Sequence, residues 1–194
     1  FPNPAKAPTH EAALFGEAAA SLGYRPFPIP SATMTRTYTN PYKLTLVECL
    51  NGGFCGKHGC ATGAKATPLT TVVPAMLKHP NVELRPHANV ISIRLDSTRK
   101  RATGVTYVDA SGREYEQPAD IVILASYVFN NARLLMLSGI GEQYDPATGR
   151  GTIGRNYSYT AYGKVSVYFD DREFNRFMGG GALGTIIDEF NGDN

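Results

Sequence analysis

Charge of one sign is what this sequence most lacks. Nineteen lysines and arginines face seventeen aspartates and glutamates, a formal net charge of +2, which is too weak a field to argue for nucleic acid or an anionic membrane as partner. Long apolar runs are missing too: none approaches the roughly 20 residues of a membrane-spanning helix. Cysteine is scarce, three in 194 residues. A chain of this length buries roughly 70% of its unfolded surface and needs no disulfide staples. Tryptophan is absent, yet 42% of the residues are hydrophobic, which excludes a disordered tail. The dinucleotide fingerprint GxGxxG is also absent. Gly53, Gly56 and Gly59 have the wrong spacing and Gly179 to Gly181 follow no suitable strand, so glycines argue for no nucleotide site.

What is present divides by period. From Thr9 to Gly23 apolar residues recur at three and four (Leu14, Phe15, Ala18, Ala19, Leu22), which predicts a helix capped by Thr9 and ended by Gly23. Tyr24 to Pro30, with three prolines, reads as an extended connector, and Ser31 to Leu46 as loop with a possible short strand. A second helix is expected over Thr67 to Lys78, regular from about Thr71. After Asn81 the period falls to two. Val82 and Leu84, Val90 to Leu95, Thr103 to Val108 and Arg113 to Gln117, with turn residues Asp109 to Gly112, predict an antiparallel meander. The continuous apolar run Ile121 to Ala125 reads as a strand buried on both faces in a parallel arrangement, feeding a helix over Val128 to Ser138 ended by Gly139 and Gly141. A further strand is expected over Lys164 to Phe169.

The three cysteines stand at C-x5-C-x4-C in a glycine-rich loop, Cys49, Cys55 and Cys60. Thiolates are soft ligands, and glycines let a backbone fold around a cluster. Three ligands suit a three-iron cluster, whereas adding His58 gives the Cys3His set of a structural zinc. Plain thiols, or one disulfide with a cysteine left over, account for the same residues. His10, His79 and His87 read as surface residues at element ends. Asp170-Asp171 and Asp188-Glu189 read as solvated charge, and Asn156-Tyr157-Ser158 matches a glycosylation acceptor of a kind frequent by chance.

Three stretches in order, Ile121 to Tyr127, Asn130 to Gly141 and Ile153 to Tyr157, resemble the glucose-methanol-choline (GMC) oxidoreductases. So do Arg85-Pro86-x-Ala88-x-Val90 and Gly104-Val105-x-Tyr107. Within the family the resemblance is to the flavoprotein subunits of gluconate, sorbitol and glucose dehydrogenases. They share a helix end like Leu22 to Pro26, a cysteine loop like Cys55 to Lys65, and a tail like Asn191 to Asn194. Two departures from the usual pattern stand out: Asn130-Asn131 where Ser-Pro or Thr-Pro is common, and Tyr157-Ser158-Tyr159 after Asn156.

The resemblance implies a mixed α+β and α/β chain, the middle portion of a GMC-type FAD-binding domain with the start of a substrate-binding domain. Its expected parts are a helix and connector (1–48), the cysteine loop (49–66), the FAD-binding portion (67–156) and the start of the substrate domain (157–194). It implies FAD as cofactor, with Val90 meeting the adenine through its backbone and Ala125 and Ser126 near the ribose or pyrophosphate. An iron-sulfur cluster on Cys49, Cys55 and Cys60 is implied as well. The implied activity is oxidation of a CH-OH group of a sugar or sugar acid, with electrons passing to a haem-containing subunit, a small export subunit as further partner, and a periplasmic location at the inner membrane. The alternative is a zinc-stabilised interaction module. Phe1-Pro2-Asn3-Pro4 and the ending at Asn194 lead us to expect a piece of a longer polypeptide, with the flavin fingerprint before it and the catalytic histidine after it; no catalytic residue is expected within.

Overall fold

The chain is described here from a computed structural model, over residues 3–53, 55, 58–174 and 183–192. Gly179 to Gly181, part of the cysteine loop, and the first and last two residues lie outside the described residues. Helix and sheet are mixed, in two compact units, one made of Phe1–Glu83 with Ser166–Asn194 and the other of Leu84–Val165.

In the first unit, helix α1 (His10–Ser21) follows Thr9 and ends at Gly23, whose φ of +87° supplies the left-handed residue that closes a helix. Its buried residues are Ala12 and Ala19. Phe15 and Leu22 are exposed, so the buried stripe is the small-residue one, not the one the apolar spacing suggests. The proline connector is extended as expected. Within it β1 (Phe27–Pro28) pairs antiparallel with β7 (Thr185–Ile186), far away in sequence. A hairpin of β2 (Tyr38–Thr39) and β3 (Thr45–Leu46) follows, with Asn40 Oδ1 accepting the Tyr42 and Leu44 N–H groups to hold its turn. Helix α2 is short, Val72–Met76. The buried apolar residues here are small or single: Ala12, Ala19, Leu46, Ala64 and Ala75.

The second unit is built on most of the expected meander, β4 (Asn89–Leu95), β5 (Ala102–Val108) and β6 (Glu114–Pro118), in the order β4-β5-β6, whereas Val82 and Leu84, expected at its start, pair with no described strand. The Asp109–Gly112 turn forms through Asp109 Oδ1, which accepts the N–H groups of Ser111 and Arg113. Arg85 donates to Tyr107 Oη at 3.1 Å and to Gln117 Oε1 at 3.0 Å, so two residues that carry the resemblance brace each other across the sheet. Helix α3 (Val128–Leu137) buries Leu134 and packs on β4, where Ile93 is buried. Ser138 Oγ accepts the Ile93 N–H at 2.8 Å and donates to Leu134 O, while Arg99 donates to the carbonyls of Ser138 and Gly139 and so satisfies the helix end.

Two strand expectations are corrected. Ile121 to Ala125 is not a paired strand, and Ile121 and Ile123 are 78% and 83% exposed. Lys164 to Phe169 is likewise unpaired, with Val165 89% exposed. The physical reason is shared. A strand is stabilised by a neighbour's ladder of hydrogen bonds and by a covered face, and no described segment supplies either to these runs.

Candidate functional site

The second unit holds Val90, Ala125 and Ser126. Val90 sits near the start of β4, half-buried and opposite Tyr107. Ser92 pairs with Thr106, so Ile91 is an extra residue, a β-bulge. Its effect follows from the neighbouring ladder. Asp109 N–H donates to Arg113 O and Ala119 N–H donates to Thr103 O; the backbone groups of Thr103, Val105, Tyr107 and Asp109 therefore face β6. Val90, opposite Tyr107, must then turn its own N–H and C=O away from β5. Ile93 confirms the phase, since its N–H leaves the sheet on that same side to reach Ser138 Oγ. Without the bulge Val90 would point into the ladder. With it, one donor and one acceptor project from an edge on which no described strand lies.

Ala125 and Ser126 lie exposed at the entrance to α3. The next residue, Tyr127, is left-handed at φ +75°, a rare backbone for a bulky side chain. Asn131 Oδ1 accepts the Ser126 N–H at 2.8 Å. Sequence reading missed this bond, although the Asn130-Asn131 departure marks the place. Around the turn Tyr127, Phe129 and Tyr157 form an aromatic ladder, with ring centroids 5.4 Å and 4.8 Å apart.

The cysteine loop belongs to the first unit. Cys49, Cys55 and Cys60 are half-buried free thiols, and among the described residues no group of three or more cysteine, histidine or acidic side chains is gathered to hold a metal ion. Among the described residues the three sulfurs, with or without His58, are not gathered into a ligand set. Each described sulfur contact is made within its own turn. Cys49 Sγ accepts the Asn51 N–H, and Cys60 Sγ lies 3.5 Å from Thr62 Oγ1. The loop's carbonyls are tied outward by two ammonium groups. Lys6 donates to Cys49 O, and Lys65 to Cys55 O and His58 O.

Cys60 is nonetheless chemically distinct. The Thr62 hydroxyl, then the Lys65 N–H and further amides of Thr62 and Ala64, favour its thiolate and lower its pKa to about 7. Alkylation by iodoacetamide is expected to rise through a midpoint near pH 7 at Cys60. Thr62→Val, which removes the largest contribution, is expected to move that midpoint upward; an unmoved midpoint in a peptide-mapped pH series would refute the assignment.

Compared with known proteins, residues 10–159 match the family described as GMC oxidoreductase. The chain is 43% identical over 195 residues to the gluconate 2-dehydrogenase flavoprotein of Pantoea cypripedii, covering 100% of this chain and 32% of that protein. It is 30% identical over 137 residues to the 6'''-hydroxyparomomycin C oxidase of Streptomyces lividus, covering 70% of this chain and 24% of that protein. The chain thus spans a third or less of the length of these relatives.

Proposed function

The chain belongs to the GMC oxidoreductase family, and we propose that it forms part of the flavin site of an FAD-dependent dehydrogenase acting on the CH-OH group of a sugar or sugar acid. The observation that carries this reading is the bulged edge of β4. An adenine edge asks for one donor and one acceptor at strand spacing, and Val90 offers that pair without side-chain chemistry. Ala125, with only a methyl group, allows close approach of a ligand, and the exposed Ser126 hydroxyl suits a ribose or pyrophosphate oxygen. These residues fit the group. Bound there, FAD supplies the hydride acceptor that none of the twenty side chains provides. The chain's own part is to hold and orient.

The gluconate 2-dehydrogenase relative supports a sugar acid as substrate. An electron-accepting haem subunit and an export partner belong to the same proposal through the family resemblance. Residues 67–156 are assigned to the FAD-binding domain and 157–194 to the start of the substrate domain. No electron step is assigned to Cys49, Cys55 and Cys60, because their sulfurs are not brought together.

Val90→Pro tests the reading directly. Proline is tolerated on an edge strand where the lost N–H faces outward, so the fold should keep its thermal midpoint while FAD affinity in the full-length protein falls roughly tenfold. Unchanged affinity by flavin titration would remove the observation on which the proposal stands.

A further inference from the structure

The turn that delivers Ala125 and Ser126 to α3 is held in a conformation its sequence disfavours. Tyr127 has φ +75° and ψ 148°, a region in which a bulky residue persists only when its surroundings impose it. Asn131 holds it through its side chain. Its Oδ1 accepts the Ser126 N–H at 2.8 Å, while its backbone N–H makes the first helical bond of α3, to Tyr127 O at 2.8 Å. The half-buried side-chain amide therefore ties the Ala125–Ser126 peptide back to the helix and fixes the turn that Tyr127 makes between them. The Tyr127 ring adds a second restraint, edge-on to Phe129 at 75°.

This tie decides which group Ser126 can offer. Its N–H is already engaged inside the turn and cannot also donate to a ligand. Its hydroxyl is exposed and has no hydrogen-bond partner among the described residues. The geometry points to Asn131 as a positioning residue that locks the left-handed turn so that the Ser126 hydroxyl, and not its amide, faces the ribose or pyrophosphate of FAD. The inference rests on the flavin-site reading above and deepens it, at one of the two positions where the sequence leaves the family's usual pattern.

The test uses the full-length flavoprotein, stripped of FAD and titrated with it, following flavin fluorescence and the thermal midpoint together. Ser126→Ala and Asn131→Ala are each expected to weaken FAD binding roughly three- to tenfold. Because both act on one contact, the double variant should be no weaker than Ser126→Ala alone. In a Tyr127→Gly background, where glycine adopts φ > 0 unaided, Asn131→Ala should cost less than twofold. If the alanine variant does not fold, Asn131→Gln, which displaces the acceptor by one methylene, serves the same comparison. Wild-type affinity in Asn131→Ala, a lowered thermal midpoint with unchanged affinity, or additive losses with Ser126→Ala would each overturn the inference while leaving the flavin site standing. Wild-type affinity in both Ser126→Ala and Val90→Pro would instead bring down the flavin-site reading, and this inference with it.

Discussion

Gly104→Ala is expected to destabilise the unit of residues 84–165 by about 3 kcal/mol or more. Gly104 lies in mid-β5 at φ +151°, and a Cβ added there would press into the Gln117 carbonyl oxygen and lie 3.0 Å from Pro118 Cα. Those atoms are backbone of the paired strand β6, so nothing flexible can yield. Backbone strain and overpacking therefore add, and the sheet must open at its middle strand. Gly112→Ala is the control. Its φ is +84°, but nothing lies within 4 Å of the added carbon, so only the conformational cost remains, about 1 kcal/mol. Urea unfolding of both variants measures the contrast. Equal midpoints would show that the close approach of β5 and β6 is not maintained in solution.

A second large effect should depend on how much polypeptide is present. Ile121 and Ile123 are 78% and 83% exposed in this chain, and replacing both with aspartate here should change stability by no more than about 0.5 kcal/mol. In a protein of the length of the gluconate 2-dehydrogenase flavoprotein, of which the chain spans 32%, the expectation reverses. An apolar run next to the turn that enters α3, if covered by further strands, would have two charges forced into its interior. Each buried isoleucine contributes about 1.5–3 kcal/mol, and the unpaired charges cost more, so the full-length variant should yield no folded flavoprotein. Soluble, flavin-loaded double variant would mean the run stays at the surface in the intact protein.

Legibility in the sequence followed the range of the interactions. The meander was readable because period-two alternation and the Asp109 turn are local, and α1 and α3 were readable because their terminal glycines lie within a few residues; the cap expected of Thr9 is not made, since its side chain bonds no amide of α1. The pairing of Phe27-Pro28 with Thr185-Ile186 left no local trace. The run Ile121 to Ala125 misled for a related reason: apolar continuity reports what a segment requires of its neighbours, not whether they are there. At the candidate site, Val90 was named by resemblance, but its outward phase depends on the bulge at Ile91, which has no signature short of the strand register. The cysteine spacing suggested a shared ligand, whereas Thr62 and Asn51, each two residues away, engage the sulfurs one at a time. That short spacing was visible in the sequence and could have signalled local turns.

The first unit is assembled from two stretches of chain, joined by β1 on β7, by the Thr9 N–H donating to Leu183 O and the Ile29 N–H to Gly184 O, by Tyr24 packed on Phe190, and by the Arg25 N–H on Glu189 Oε1 across 164 positions. Translation meets these pieces in an awkward order. The earlier stretch emerges first and must wait for the last strand to be made, while residues 84–165, whose sheet pairs strands that neighbour in sequence, are completed in between. Throughout that interval β1 has no mate, and any nascent chain stalled or cleaved before Thr185 would leave the first unit without its closing strand.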